Sequence, residues 1–234
     1  MDIALLKGAL VWRVGRFPDP WAWADHQYSG RNRWDDADGN FRTVYASATL
    51  FGCFVELLAF ARPDSPEHGG LLGEIEEDPA DAEEFPTAPA GHIPRDWLSV
   101  RMQAQGELSG EYVDVRTAST IADLRPHFIG LAIHLEVPDF DAAALKRAYP
   151  RELTQRVATR LYGLTDSDGR NFIDGVQFAS RHGDDLEMWA VFERPEDQHT
   201  SRLIRNRSSS PIDPTEPALL DALRLHRLST DLGS

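Results

Sequence analysis

The chain has 234 residues, 41% of them apolar, which suits one domain with an ordinary core, and no run approaches the roughly 18 apolar residues of a membrane-spanning helix. Its formal net charge of −14, from 38 acidic and 24 basic residues, repels nucleic-acid phosphates and argues against direct nucleic-acid binding. A lone cysteine, Cys53, cannot form an internal disulfide, and Met1 to Leu10 lacks a small-residue cleavage site, so a cytoplasmic chain without a signal peptide or membrane contact is expected.

In chain order, the loose alternation over residues 3–14 predicts a strand, broken by the Pro- and Trp-rich Phe17-Pro-Asp-Pro-Trp-Ala-Trp. Residues 28–42 are polar and turn-rich, with Asp38-Gly39 a tight-turn signal, and Thr43 to Ala46 reads as a short strand. Ser47 is the expected N-cap of a helix over 48–61 that is apolar almost all round and ends at Arg62-Pro63, so this helix belongs inside the molecule. The acidic, Pro/Gly-rich stretch 63–94, with its run from Glu74 to Glu84, predicts a solvated irregular insertion.

Within 95–118, Trp97 to Met102 and Tyr112 to Val115 are expected as short strands, and a helix starting near Thr120 is expected to break at Pro126. Residues 141–149 and 152–164 predict helices, the second with Leu153, Val157, Leu161 and Leu164 on one face. Gly175 to Ser180 and Met188 to Phe192 read as two strands joined by the charged turn Arg181 to Asp185. A polar stretch with Ser208-Ser-Ser-Pro follows, then a final helix over 216–229 with Leu219, Leu220, Leu223 and His226 or Leu228 inward. No repeat or linker divides the chain.

Glu56 is the most informative side chain, a carboxylate within an apolar helix. An unpaired buried carboxylate is costly, so it is either the one solvent-facing position of that helix or a group aimed into a polar cleft. Arg31 and Arg33, in the loop before the strand that feeds this helix, are either solvated or placed to grip phosphate oxygens. Tyr45 suits stacking on a flat heterocycle or a half-buried core position. Ser180 ends its strand as a turn former or a contact, and although His182 follows, no Gly-x-Ser-x-Gly elbow surrounds it. There is no Gly-x-Gly-x-x-Gly and no Gly-Lys-Ser/Thr phosphate loop, and His134-Leu-Glu136 lacks the partners of a zinc motif, so no metal site is expected.

Taken together, three stretches resemble the RES family, named for an arginine, a glutamate and a serine. They are Ser29-Gly-Arg-Asn-Arg33-Trp-Asp…Tyr45-Ala, the following helix with Glu56 eleven residues after Tyr45 (56 − 45 = 11), and Asp174-Gly-Val-Gln-Phe-Ala-Ser180…Trp189-Ala-Val-Phe. Trp12-Arg-Val-Gly-Arg16-Phe17 is similar to the family's opening strand, with Arg16-Phe17-Pro18 where relatives carry arginine–tyrosine–glycine. The likeness covers about residues 10–195.

The resemblance implies a single α+β domain with a twisted central β-sheet region, similar to ADP-ribosyltransferase toxins and flanked by helices. It implies breakdown of NAD+ at the nicotinamide–ribose bond by phosphorolysis or hydrolysis, with NAD+ as substrate, inorganic phosphate as a possible co-substrate and no resident cofactor. It further implies a toxin restrained by a cognate antitoxin with a helix-turn-helix domain. Carried over, Arg33, Glu56 and Ser180 are the expected catalytic set, and Arg16, Tyr45 and Arg31 the expected substrate contacts. The alternatives are transfer of ADP-ribose to a protein and a non-enzymatic binding protein on the same scaffold.

Overall fold

A computed structural model of the chain describes residues 1–63 and 91–230. It is a mixed α+β fold whose main sheet closes on itself as a barrel, in the order β1 (Ile3–Arg16), β2 (Thr43–Ser47), β6 (Gly183–Phe192), β5 (Gly175–Ser180) and β4 (Arg101–Asp114). Closure comes from β4 returning antiparallel along the whole of β1, from Ile3 opposite Val113 to Arg16 opposite Arg101. Strand β7 (Ile204–Pro211) adds to the free edge of β4, while the C-terminal end of β4 pairs in parallel with β5. A two-stranded parallel sheet joins β3 (His92–Ile93) to β8 (Ser229–Thr230).

Alternation along the strands sorts their side chains between two apolar layers. Val11, Val44, Ala46, Leu108, Trp189 and Val191 pack with Trp21 and Trp23 on one side. On the other, Val176, Phe178, Met188 and Ala190 meet α3 (Ala118–His134) and α5 (Glu152–Tyr162), with the short α4 (Ala142–Lys146) beside them. Every residue of β5 is buried, as expected of a strand covered on both faces. A third apolar cluster joins α1 (Leu50–Leu58) to α6 (Pro217–His226) through Phe54, Leu58, Leu219 and Leu223, with Trp97 of α2 (Arg95–Ser99) beneath.

Several expectations are corrected. The N-cap of α1 is Thr49, whose extended backbone lets its hydroxyl accept from Gly52 N at 3.0 Å; Ser47 ends β2 instead and gives its Oγ to Glu187 O. The helix proper is Leu50–Leu58 and continues as a 3₁₀ turn, Ala59–Ala61. Trp97, Leu98 and Ser99 are helical, not strand: Trp97 N bonds Pro94 O, and Arg101 folds back to donate to Trp97 O and lie over its ring at 4.1 Å. The remaining strand, β4, is one long element where two short ones were expected.

Pro126 does not break α3; it and Ala122, whose carbonyl loses its amide partner, both lie on the exposed side of the helix. The polar Ser208-Ser-Ser-Pro stretch is part of β7, an edge strand exposed at every position after Ile204, where serines and arginines cost nothing. The turn between β5 and β6 shrinks to Arg181-His182, with Gly183 already paired opposite Ser180. Within the expected insertion 63–94, His92 and Ile93 form β3; the acidic run Glu74 to Glu84 lies outside the described residues. The final helix is Pro217–His226, with Leu219, Leu223 and His226 buried and Leu228 beyond it.

Candidate active site

The loop over residues 30–42 is organised by two buried aspartates. Asp35 Oδ2 accepts from the backbone N–H of Arg31 and Asn32 at 3.1 and 2.9 Å, and Asp35 Oδ1 accepts the Tyr45 hydroxyl at 2.9 Å. Asp36 accepts from Asn40 N and from Thr159 Oγ1 of α5, and Gln155 of α5 donates to the carbonyls of Gly30 and Asn32. The loop that carries Arg31 and Arg33 is therefore bolted to a buried helix and to β2, not left to wander. Burial pushes the Asp35 carboxyl up despite these donors, and burial followed by the charge of Asp35 lifts the Tyr45 phenol well above its usual range.

Tyr45 lies opposite Ala190, which lies opposite Val176, so the three share a face across β2, β6 and β5. Phe178, two residues further along β5, meets the Tyr45 ring edge-on at 6.3 Å. Arg33 extends over this same Phe178, its guanidinium carbon 5.1 Å from the ring centre, and donates to Leu145 O at 3.3 Å. Beyond Phe178 opens a cavity of about 240 Å³ lined by Val115, Arg116, Leu145, Lys146, Ala179 and Asp184 among others. Its volume falls below the roughly 300–1,000 Å³ usual for a site that encloses a whole small-molecule ligand.

Ser180 ends β5 with 1% of its surface exposed, and its Oγ accepts from His182 N at 2.9 Å, which leaves its own O–H to donate. The half-buried His182 ring sits 6.1 Å from the ring of His226, in an edge-on arrangement. Burial first, then the charges of Arg181, Arg62, His226 and Arg33, hold the His182 imidazole down to about 3, so it is neutral at physiological pH.

Glu56 is half-buried on α1, and its Oε1 is shut away from solvent with no hydrogen-bond partner. The fully solvent-facing reading of this residue is thereby set aside. Its charge reaches His226 and Cys53, while the Cys53 thiol is pushed up to about 12 by burial and is inert as a nucleophile. A path of neighbours thus links Tyr45 to Arg33, Arg33 to His182 and Glu56 to His226 within electrostatic range, His182 to His226 by ring contact, and Ser180 to His182 by its hydrogen bond.

The structure brings Arg33, Tyr45, Ser180 and Glu56 around this path. Arg31 is held to one side, its guanidinium 5.0 Å over the Tyr28 ring, and Arg16 lies exposed at the end of β1 opposite Arg101. Sequence reasoning missed Arg62 and gave His226 only a packing role; both enter the cluster through the turn after α1 and the end of α6. Asp35 and Asp36 were also missed, although the pair in a turn-rich loop signals side chains that bond backbone N–H groups. Among the described residues no group of His, Cys, Asp and Glu is arranged to hold a metal, and no helix is long and apolar enough to cross a membrane.

Comparison with protein-family models finds no match, and comparison with curated proteins finds none either.

Proposed function

We propose that this chain cleaves the nicotinamide–ribose bond of NAD+, using Glu56, Arg33, Tyr45 and Ser180. The observation that carries this reading is the buried, unpartnered Oε1 of Glu56 at one end of a path of arginine, imidazole, tyrosine and serine side chains. A buried oxygen without a donor costs roughly 1–3 kcal/mol, and a fold retains that cost where a ligand supplies the missing partner.

The chemistry suits the groups. Cleavage breaks the C1′–N bond; nicotinamide leaves with the bonding pair as a neutral molecule, and positive charge develops on the ribose. A carboxylate beside the ribose stabilises that charge and accepts hydrogen bonds from its hydroxyls, the role assigned to Glu56. An oxygen of water or inorganic phosphate then bonds to C1′. Where the attacking group carries a proton, Glu56 takes it and later releases it to solvent. Arg33 supplies a fork for phosphate oxygens, Ser180 an O–H donor and Tyr45 a ring against a flat heterocycle. A neutral His182 is suited to hydrogen bonding, not to charge stabilisation. By the same resemblance, the chain acts as a toxin held in check by an antitoxin with a helix-turn-helix domain, on a scaffold related to ADP-ribosyltransferase toxins.

The test is NAD+ loss by the purified chain, with and without millimolar phosphate, alongside Glu56→Gln. Turnover is expected to fall at least about 100-fold in the variant, while its melting temperature stays level, because the buried Oε1 has no hydrogen bond to lose. Phosphate dependence identifies a phosphorylase, and turnover without phosphate a glycohydrolase. Undiminished turnover by a folded Glu56→Gln would refute the assignment. ADP-ribose appearing on protein instead of in solution would replace it with transfer.

A further inference from the structure

Strand β7 is the outermost strand of the main sheet. It pairs with β4 on one side and, among the described residues, with no strand on the other. Every residue from Arg205 to Pro211 is exposed. From Ser208 to Ser210 the strand runs in regular antiparallel register against Gln105, Ala104 and Gln103, and three serines cover little of their own backbone. Alternate peptide groups of an edge strand point away from the sheet, so this stretch offers main-chain donors and acceptors to an incoming strand.

The start of the strand is built differently. Glu107 stands opposite Arg205 and Gln105 opposite Ser208, so Asn206 and Arg207 together face the single Gly106 of β4. Asn206 takes the left-handed conformation, φ 48°, which asparagine tolerates better than most residues, and its Nδ2 donates to Glu107 Oε2 at 2.8 Å. A Cβ at position 106 would lie 2.7 Å from Ile204 Cγ2 and 3.5 Å from Arg207 Cγ, so the glycine leaves room for the Arg207 stem along β4. Beside this bulge opens a groove of about 570 Å³, walled by Arg202, Arg205 and Arg207 and by the loop that carries Glu196 and Asp197.

The carboxylates around the groove are committed to other partners. Asp197 accepts from the backbone N–H groups of Arg194 and Arg202 at 3.0 and 2.9 Å, and Glu196 pairs with Arg202 at 3.3 Å. Glu107, directly opposite Arg205, gives its Oε2 to Asn206. Arg205 and Arg207 themselves make no hydrogen bond or ion pair among the described residues, in a chain with 38 acidic and 24 basic residues. Two unpaired guanidiniums at one end of an open main-chain edge match an extended peptide whose acidic residues flank a β-prone stretch. A second copy of the chain is a poor match, because Ile204 to Ile212 contains no carboxylate and brings the same two arginines. A nucleic-acid strand has no amide backbone to pair with the edge, and its phosphates meet a net charge of −14.

We infer that the outer edge of β7 is a docking site for an acidic, extended segment of a partner protein. The segment adds as a further strand at Ser208 to Ser210 and is held at its acidic end by Arg205 and Arg207. This interaction surface is independent of the NAD+ reading and of the residues assigned to it.

The experiment is fluorescence anisotropy of the full chain with a labelled peptide of alternating threonine and valine ended by a pair of glutamates. The comparisons are the same peptide with every amide of its Thr–Val stretch N-methylated, a version ended by lysines, and a single-stranded oligonucleotide. Wild type is expected to bind the glutamate peptide. Arg205→Ala combined with Arg207→Ala is expected to bind it roughly 4- to 25-fold more weakly, from roughly 2- to 5-fold per exposed ion pair. Arg205→Glu combined with Arg207→Glu is expected to prefer the lysine peptide, a gain that a merely unfolded variant does not show. N-methylation is expected to abolish binding, because it removes the main-chain donors. Undiminished affinity in the folded double-alanine variant, or equal binding of the N-methylated peptide, overturns the inference. So does the absence of binding by wild type at millimolar peptide, which would make the two arginines a guard against edge pairing. Oligonucleotide bound in preference to peptide, or a dimer in sedimentation that the double-glutamate variant abolishes, overturns the choice of occupant.

Discussion

His182 illustrates how much of this site is set by desolvation. Model imidazoles titrate near 6.5, but this one is held to about 3, by burial first and by Arg181, Arg62, His226 and Arg33 after it. The folded-state value is depressed, so between about pH 3 and 6.5 the unfolded chain takes up a proton that the fold refuses. Stability from this group is full above the unfolded value and declines as pH falls below it. The melting temperature of wild type is expected to drop further than that of His182→Gln between pH 7.5 and 5.5, by roughly 2–4 °C for each kcal/mol in a domain of this size. Equal drops in the two proteins, followed by circular dichroism, would show that the ring is protonated in the fold. None of this was legible in the sequence, where His182 stood out only for its nearness to Ser180. Arg62 and His226 lie 164 positions apart, and no local pattern links them. Glu56, by contrast, was legible, because a single carboxylate in an apolar helix breaks the local pattern.

At the scale of elements, the sequence revealed period and composition and missed whatever a neighbour imposed. β5 was read with its observed ends because a short β-rich stretch, Val176, Phe178 and Ala179, is closed by the charged turn after Ser180. Trp97 and Leu98 carry the same apolar signal as a strand; their helix follows from Pro94 taking the cap position and Arg101 packing back on Trp97. β7 was invisible because an edge strand needs no apolar alternation.

Glycine at the start of β5 is another such imposed choice. A Cβ at Gly175 would lie 2.0 Å from Ala190 O and 2.9 Å from the Tyr112 ring, and both belong to strands that cannot retreat without opening the barrel. Gly175→Ala is expected to destabilise the chain by about 3 kcal/mol, the upper end for an overpacked core, read as a lower urea midpoint. Because β5 carries Phe178 and Ser180, the same variant is expected to weaken ADP-ribose binding. A stability within about 0.5 kcal/mol of wild type would mean the sheet yields at this point.

For the whole molecule, the question is how an anion reaches arginines on a body of net charge −14. Two fields of opposite sign act over different ranges. On the proposed function, the acidic surface repels a phosphate-bearing ligand over the full Debye length, about 30 Å at 10 mM salt, while Arg33 at the proposed site attracts it only from nearby. Raising ionic strength to about 150 mM cuts the range to about 8 Å, which removes most of the repulsion and little of the final attraction. The association rate of ADP-ribose, followed by stopped-flow tryptophan fluorescence, is therefore expected to rise about 3- to 10-fold between 10 and 150 mM salt. Over the same interval the dissociation rate changes little, because close guanidinium contacts lie within the shorter Debye length, so the change in affinity follows the association rate. A binding site on a basic face behaves in the opposite way, with association slowing from the lowest salt upward. That outcome would place the ligand away from the acidic field, and Arg33→Ala decides between the two: at the proposed site it speeds dissociation at every salt concentration and leaves the rise in association rate in place.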